Sequence, residues 1–348
     1  MIHASAFQRS STLDLAMWDF NIGRSLSLMG QTLPFIALRC AVYFGMTLAY
    51  VLMTGIGAGV GWGIGGLGDE SFQTSAAIWG ALAGFGLTAG VLFFLREYIL
   101  YIVKAGHIAA MMQLLQGQNL PEGKGQIQHA ASVVKSRFAQ ASVLFALDQL
   151  VKGVVNAITG LIQGVGSLLP IPGTQQIMGV VRAFLRLAVG LVDEVILAYA
   201  IHTQSQNPWT SARTALVLYG QNAVPMLRNA AWLTLFTYGL SIVIFLVLLT
   251  PAAALAWFMP GTGSAAGVVF ALVLAWAIKA AVLEPFAIAC LLQAYFQAID
   301  GQAPDPAWEA RLDDASRKFG QLKEKAASWV PQPTNPDSAA SASQGNRP

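Results

Sequence analysis

Six long apolar stretches divide the chain, at 34–56, 76–103, 140–165, 176–202, 231–250 and 265–298, with polar or mixed segments between them. A helix of about 20 apolar residues crosses a bilayer core of ~30 Å, and the first, second, fifth and sixth stretches meet that length without difficulty. The third is the most polar. Asp148, Lys152, Asn156, Thr159 and Gln163 fall within about 80° on a helical projection, while Val143, Leu144, Leu147, Val151, Val154, Val155 and Ile158 form the rest of the surface. Such a striped helix spans if its stripe faces other helices; the alternative is a helix lying in the interface.

The pattern predicts an all-α, polytopic membrane bundle of about six spans (34–298). It is preceded by a cytoplasmic amphipathic segment (1–33) and followed by a cytoplasmic amphipathic helix (299–330) and a disordered tail (331–348). Segments apolar on one face only recur between spans. Residues 11–30 align Leu13, Met17 and Phe20, and 125–139 align Ile127, Ala131, Val134 and Phe138. Residues 306–327 align Trp308, Leu312, Ala315, Phe319, Leu322 and Ala326 against a charged face. These suit the inner membrane surface, or packing against neighbouring loops. The tail is rich in Pro, Ser, Asn and Gln and too polar to bury a core.

Basic residues orient the bundle. Segments 57–75, 166–175 and 251–264 hold no Lys or Arg, whereas 1–33, 104–139, 203–230 and 299–348 hold 2, 4, 2 and 6. Cytoplasmic loops retain positive charge, so the pattern predicts a plasma (inner) membrane protein with both termini in the cytoplasm. No apolar core followed by a small-residue cleavage site precedes the first span, which is expected to act as its own targeting signal.

Composition agrees. Hydrophobic residues make up 55% and charged residues 11% of the chain, against about 25% charged in soluble domains. The net charge of +3, with no basic patch interleaved with aromatics, excludes a nucleic-acid partner and suits anionic lipid headgroups. Cys40 and Cys290 both lie within spans and are read as apolar filler.

A repeat is visible. Each even-numbered span leads into a turn with Gln and Pro: Gln118-Asn119-Leu120-Pro121, Gln206-Asn207-Pro208 and Gln302-Ala303-Pro304. Each also carries a Glu before an apolar run, at Glu97, Glu194 and Glu284. This reads as three units of hairpin plus surface helix, an organisation common in transporters but not confined to them.

An ionisable group inside a bilayer costs about 2.5–3.5 kcal/mol on insertion scales, so each one needs a reason. Glu97, Asp148, Asp193, Glu194 and Glu284 fall in the cytoplasmic half of their spans, with Arg186 and Lys279 nearer the midplane. One reading is a polar cavity open to the cytoplasm, in which Asp193, Glu194 and Glu284 attract a cation and Trp276 and Tyr199 offer it aromatic faces. The other is a set of structural intramembrane pairs: Asp148 with Lys152 four residues on, and Arg182 and Arg186 on one face with Asp193, together with Lys279. Arg39, Arg96 and Glu97 read as interfacial. Pro285 removes a backbone donor and frees the carbonyl of Ala281, a kink beside Glu284.

No catalytic signature is present: no HExxH, GxSxG, Walker lysine or CxxC. The chain is expected to be no enzyme and to hold no metal or cofactor. Gly61, Gly63 and Gly66 match GxGxxG formally, but no strand precedes them, so close helix packing or a flexible outer loop fits better.

Ser211, Ala212, Arg213, Ala215, Leu218 and Asn222, with Asp300-Gly301 and Pro304 and Pro306 after the last span, resemble choline transporter-like proteins over about 190–310. This chain lacks that family's extra spans and large extracellular loop. The resemblance implies transport of a quaternary or related small amine. The expected function is therefore a transporter of a small cationic solute. The alternative is a scaffold that organises lipids or a protein partner through its cytoplasmic helices.

Overall fold

The computed structural model describes residues 18–121, 123–138, 141–166, 193–203, 205–258 and 262–330. Those residues form helices α1 (Ile22–Gln31), α2 (Leu33–Gly65), α3 (Glu70–Leu115), α4 (Lys124–Phe138), α5 (Ala141–Gly166), α6 (Asp193–His202), α7 (Pro208–Gln221), α8 (Ala223–Phe258) and α9 (Thr262–Ile278). A π-helical turn (Lys279–Leu283) leads directly into α10 (Glu284–Ala298), and α11 (Pro306–Ala315) and α12 (Arg317–Ala327) follow. No strand occurs among the described residues. The expected disordered tail, Arg182, Arg186 and most of the fourth apolar stretch lie outside them.

Local chemistry sets the helix ends. Asn21 and Asp69 accept the backbone N–H groups of Arg24 and Phe72 at 2.9 and 2.7 Å, capping α1 and α3. Asn207-Pro208 and Asp305-Pro306 start α7 and α11 with a capping side chain followed by proline, whose missing N–H costs nothing there. Gly301 has φ +70 just beyond α10, a conformation in which a Cβ would be strained.

Four helices are long and apolar enough to cross a membrane: Leu33–Gly65, Glu70–Leu92, Ala223–Pro251 and Ala271–Ala298. They pair as two hairpins, α2 with α3 and α8 with α9. In the first hairpin a methyl added to Gly57, Gly61, Gly80 or Gly84 would run into a backbone carbonyl of the opposite helix. That is the close packing read from the glycine run.

A single large core lies at the other end of the hairpins. It gathers Ala105–Met112 of α3, the apolar face of α5, α6, α7 and α10, and Leu312, Phe319 and Leu322 of α11 and α12. The third apolar stretch is thus α5, which packs on α6, α7, α11 and α12. Residues 306–327 form two helices, because Ser316 is extended (φ −141, ψ 106) and turns the chain between them. Toward the amino end, α1 begins at Ile22, buries Ser25, Leu28 and Met29, and leaves Ile22 and Leu26 exposed.

Candidate functional site

Where the hairpins meet the core, a proline determines the backbone. Pro285 cannot donate to the carbonyl of Ala281, so the helix widens, and the Glu284 N–H bonds the Lys279 carbonyl five residues back. The wider turn brings the Lys279 and Glu284 side chains together at 2.8 Å. Lys279 also lies 4.4 Å above the ring of Tyr238. Trp276, one turn earlier, meets Tyr43 edge-on with ring centres 5.4 Å apart.

Arg39 of α2 enters this turn from the side. It is 1% exposed, and its Nη1 donates to the Ala280 carbonyl at 3.4 Å. Its Nε and Nη2 have no hydrogen-bond partner. Tyr43, Met46, Leu100, Ala277, Ala280 and Ala281 pack together beside it. Glu194, 2% exposed at the start of α6, accepts from Lys104 at 2.6 Å through Oε1, while its Oε2 is unpartnered. Arg39 lies within electrostatic reach of both Glu194 and Glu284, and Lys152 within reach of Glu194. Lys152 pairs with the buried Asp148 at 2.7 Å, as their spacing predicts.

His107 completes the cluster. Thr32 donates its hydroxyl to the Leu28 carbonyl at 2.8 Å, so the His107 Nε2, 2.9 Å away, donates to Thr32 and Nδ1 carries no proton. The ring stacks on Phe35 at 5.2 Å. Burial, reinforced by Arg39, holds His107 well below its ordinary pKa of 6.5, so it is neutral.

The structure thus brings Glu194, Glu284, Lys279, Asp148 and Lys152 to one junction, with Trp276 at its edge. Tyr199 is elsewhere, half-buried and edge-on to Tyr295 at 6.3 Å. Asp193 opens α6, but its side chain lies outside those described. Lys104, His107 and Tyr43 were not singled out from sequence, and Arg39, read there as interfacial, is instead fully buried. Arg39 had the stronger signal, six residues inside a span with Tyr43 one turn on. Separately, a cleft of about 640 Å³ opens between residues 18–24 and the ends of α3, α6 and α10, with Trp18, Phe20, His202 and Phe296 on its walls. Among the described residues no three His, Cys, Asp or Glu side chains come together as a metal would need.

No family model, no curated protein and no solved structure matches this chain.

Proposed function

We propose that the protein is an integral membrane transporter of a small charged solute, and that the solute binds at the junction around Arg39. One observation carries this reading: among the described residues the fully buried Arg39 guanidinium has no carboxylate partner, although acids lie close by. Breaking up a buried ionic group in this way costs several kcal/mol, so it is kept where it does something. The π-turn beside it supports the same reading, since single π-turns inside helices collect at functional sites. The cationic solute expected from sequence meets Glu194 and Glu284 already held by lysines, so an amine would have to displace one of them.

For topology we propose four crossings, with both termini in the cytoplasm of a cell with an inner membrane. Six crossings would place the termini on the same side. Four is supported by α5, which packs on the charged helix α12, with Lys318 donating to the Gln149 carbonyl at 3.3 Å. It is also supported by the basic residues: the segments 66–69 and 259–261, which would lie outside, hold none of the 20.

The test is flux. Purified protein in liposomes should accumulate a labelled small ion down an imposed gradient, and Arg39→Met should abolish it; equal accumulation in empty liposomes would end the reading. A scaffold that organises lipids or a partner is the second reading. It is favoured by the hairpins, because only 11% of the best apolar window in Glu70–Leu92 and 17% of that in Ala223–Pro251 are buried within the chain. A stable partner recovered in cross-linking and lost on deleting 306–330, without any flux, would support it.

A further inference from the structure

We infer that the junction takes a small carboxylate, bound side-on to the Nε–Nη2 edge of Arg39. The inference rests on the solute-binding reading and fixes the sign of the solute's charge. Among the described residues the three lysines of the cluster each hold a carboxylate: Lys104 on Glu194, Lys152 on Asp148 and Lys279 on Glu284. Arg39 holds none. Its one bond is to a neutral carbonyl, at 3.4 Å. Nε and Nη2, the two atoms left over, present parallel N–H groups to a planar pair of acceptor oxygens, the geometry in which a guanidinium grips a carboxylate.

The surroundings restrict the ligand further. Glu194 and Glu284 lie within electrostatic reach of Arg39, which disfavours a multiply charged oxyanion such as phosphate. Small side chains, Ala277, Ala280 and Ala281, pack beside Arg39 together with Tyr43, which suits a compact, planar guest. Both free nitrogens expose less than 1 Å². Entry requires the Arg39–Ala280 contact to open, and that contact is made to the π-turn, where the helical hydrogen bonding is already interrupted.

The experiment is equilibrium dialysis of full-length protein in detergent with labelled acetate at constant ionic strength. Sodium phosphate and tetramethylammonium chloride serve as competitors. The expected result is saturable acetate binding displaced by neither competitor. Arg39→Lys keeps the charge without the paired donors and should weaken binding at least tenfold; Arg39→Met should abolish it. Because Arg39→Met removes an unpaired buried charge, its thermal midpoint should not fall, which separates lost binding from lost folding. Absence of saturable acetate binding to the wild type overturns the inference. So does wild-type affinity in Arg39→Met, or displacement by tetramethylammonium or by phosphate at lower concentration than acetate. Acetate binding to the wild type without flux would sink transport alone, and flux by a wild type that shows no saturable acetate binding would sink the anion site alone.

Discussion

Glu284 reaches Lys279 at 2.8 Å because the helix between them is wound as a π-turn. In an α-helix, residues five apart point about 140° away from each other. The ion pair and the proline are therefore one device. Pro285→Ala restores a donor for the Ala281 carbonyl and should rewind the turn. The coupling energy between Lys279→Met and Glu284→Gln, about 1 kcal/mol in the wild-type background, should vanish in the Pro285→Ala background. A double-mutant cycle on thermal unfolding measures it, and an unchanged coupling would show that proline does not set the turn.

The glycine seam of the first hairpin makes a sharp contrast possible. Gly57 and Gly61 face backbone across the seam, whereas Gly59 and Gly63 have nothing within 4 Å. Gly61→Val should destabilise the protein in detergent by 2 kcal/mol or more, on the order of an overpacked core. Gly59→Ala should be neutral, or stabilising by up to about 1 kcal/mol through helix propensity. Equal effects at both positions would mean that α2 and α3 do not pack as described.

His107 gives the fold a pH dependence with a definite sign. Its native pKa lies well below the ordinary 6.5, so below that value the unfolded chain binds a proton that the folded chain refuses. Stability should be independent of His107 above about pH 7 and fall as the pH drops below 6.5 toward the native pKa. His107→Phe keeps the stack on Phe35 and should remove that slope. Melting temperatures of both proteins between pH 4.5 and 8 decide the matter.

Arg213 ties α7, α11 and α12 together. It donates from Nε to Glu309 at 2.9 Å, from Nη2 to Asp313 at 2.6 Å and from Nη1 to the Phe319 carbonyl at 3.3 Å, and its guanidinium lies 4.1 Å over the Phe319 ring. Burial pulls its pKa down, but the hydrogen bonds to Asp313 and Glu309 more than reverse that. Lysine can replace neither the fork nor the stack. Arg213→Lys should loosen α11 and α12 from α7 by about 1–3 kcal/mol, seen as faster amide exchange confined to 306–327. Unaltered exchange there would assign the docking to Leu312, Phe319 and Leu322 alone.

How much of this was legible beforehand depends on the range over which each feature acts. The first hairpin could be read from a long apolar run ending in glycines, and the Asp148–Lys152 pair from a spacing of four. Pro285 announced a disturbed helix beside Glu284, and the disturbance took the form of a widened turn. The partnerships at the junction were hidden: Glu194 meets Lys104 from 90 residues away and Arg39 meets Ala280 from 241. No local pattern encodes such pairs. The apolar face of α5 was ambiguous for a different reason. Leu144, Leu147, Val151 and Val154 are as well suited to protein as to lipid, and hydropathy does not distinguish the two.

The third helix has a mechanical consequence. At 46 residues without a break, α3 is a rod of roughly 70 Å whose one end, near Phe72, stands exposed at a hairpin tip, while the other carries His107 into the core, with the half-buried Lys104 just before it. A lever of that kind has no joint to absorb a tilt. Whatever leans on the distal tip is felt, without relay, by the lysine that holds Glu194.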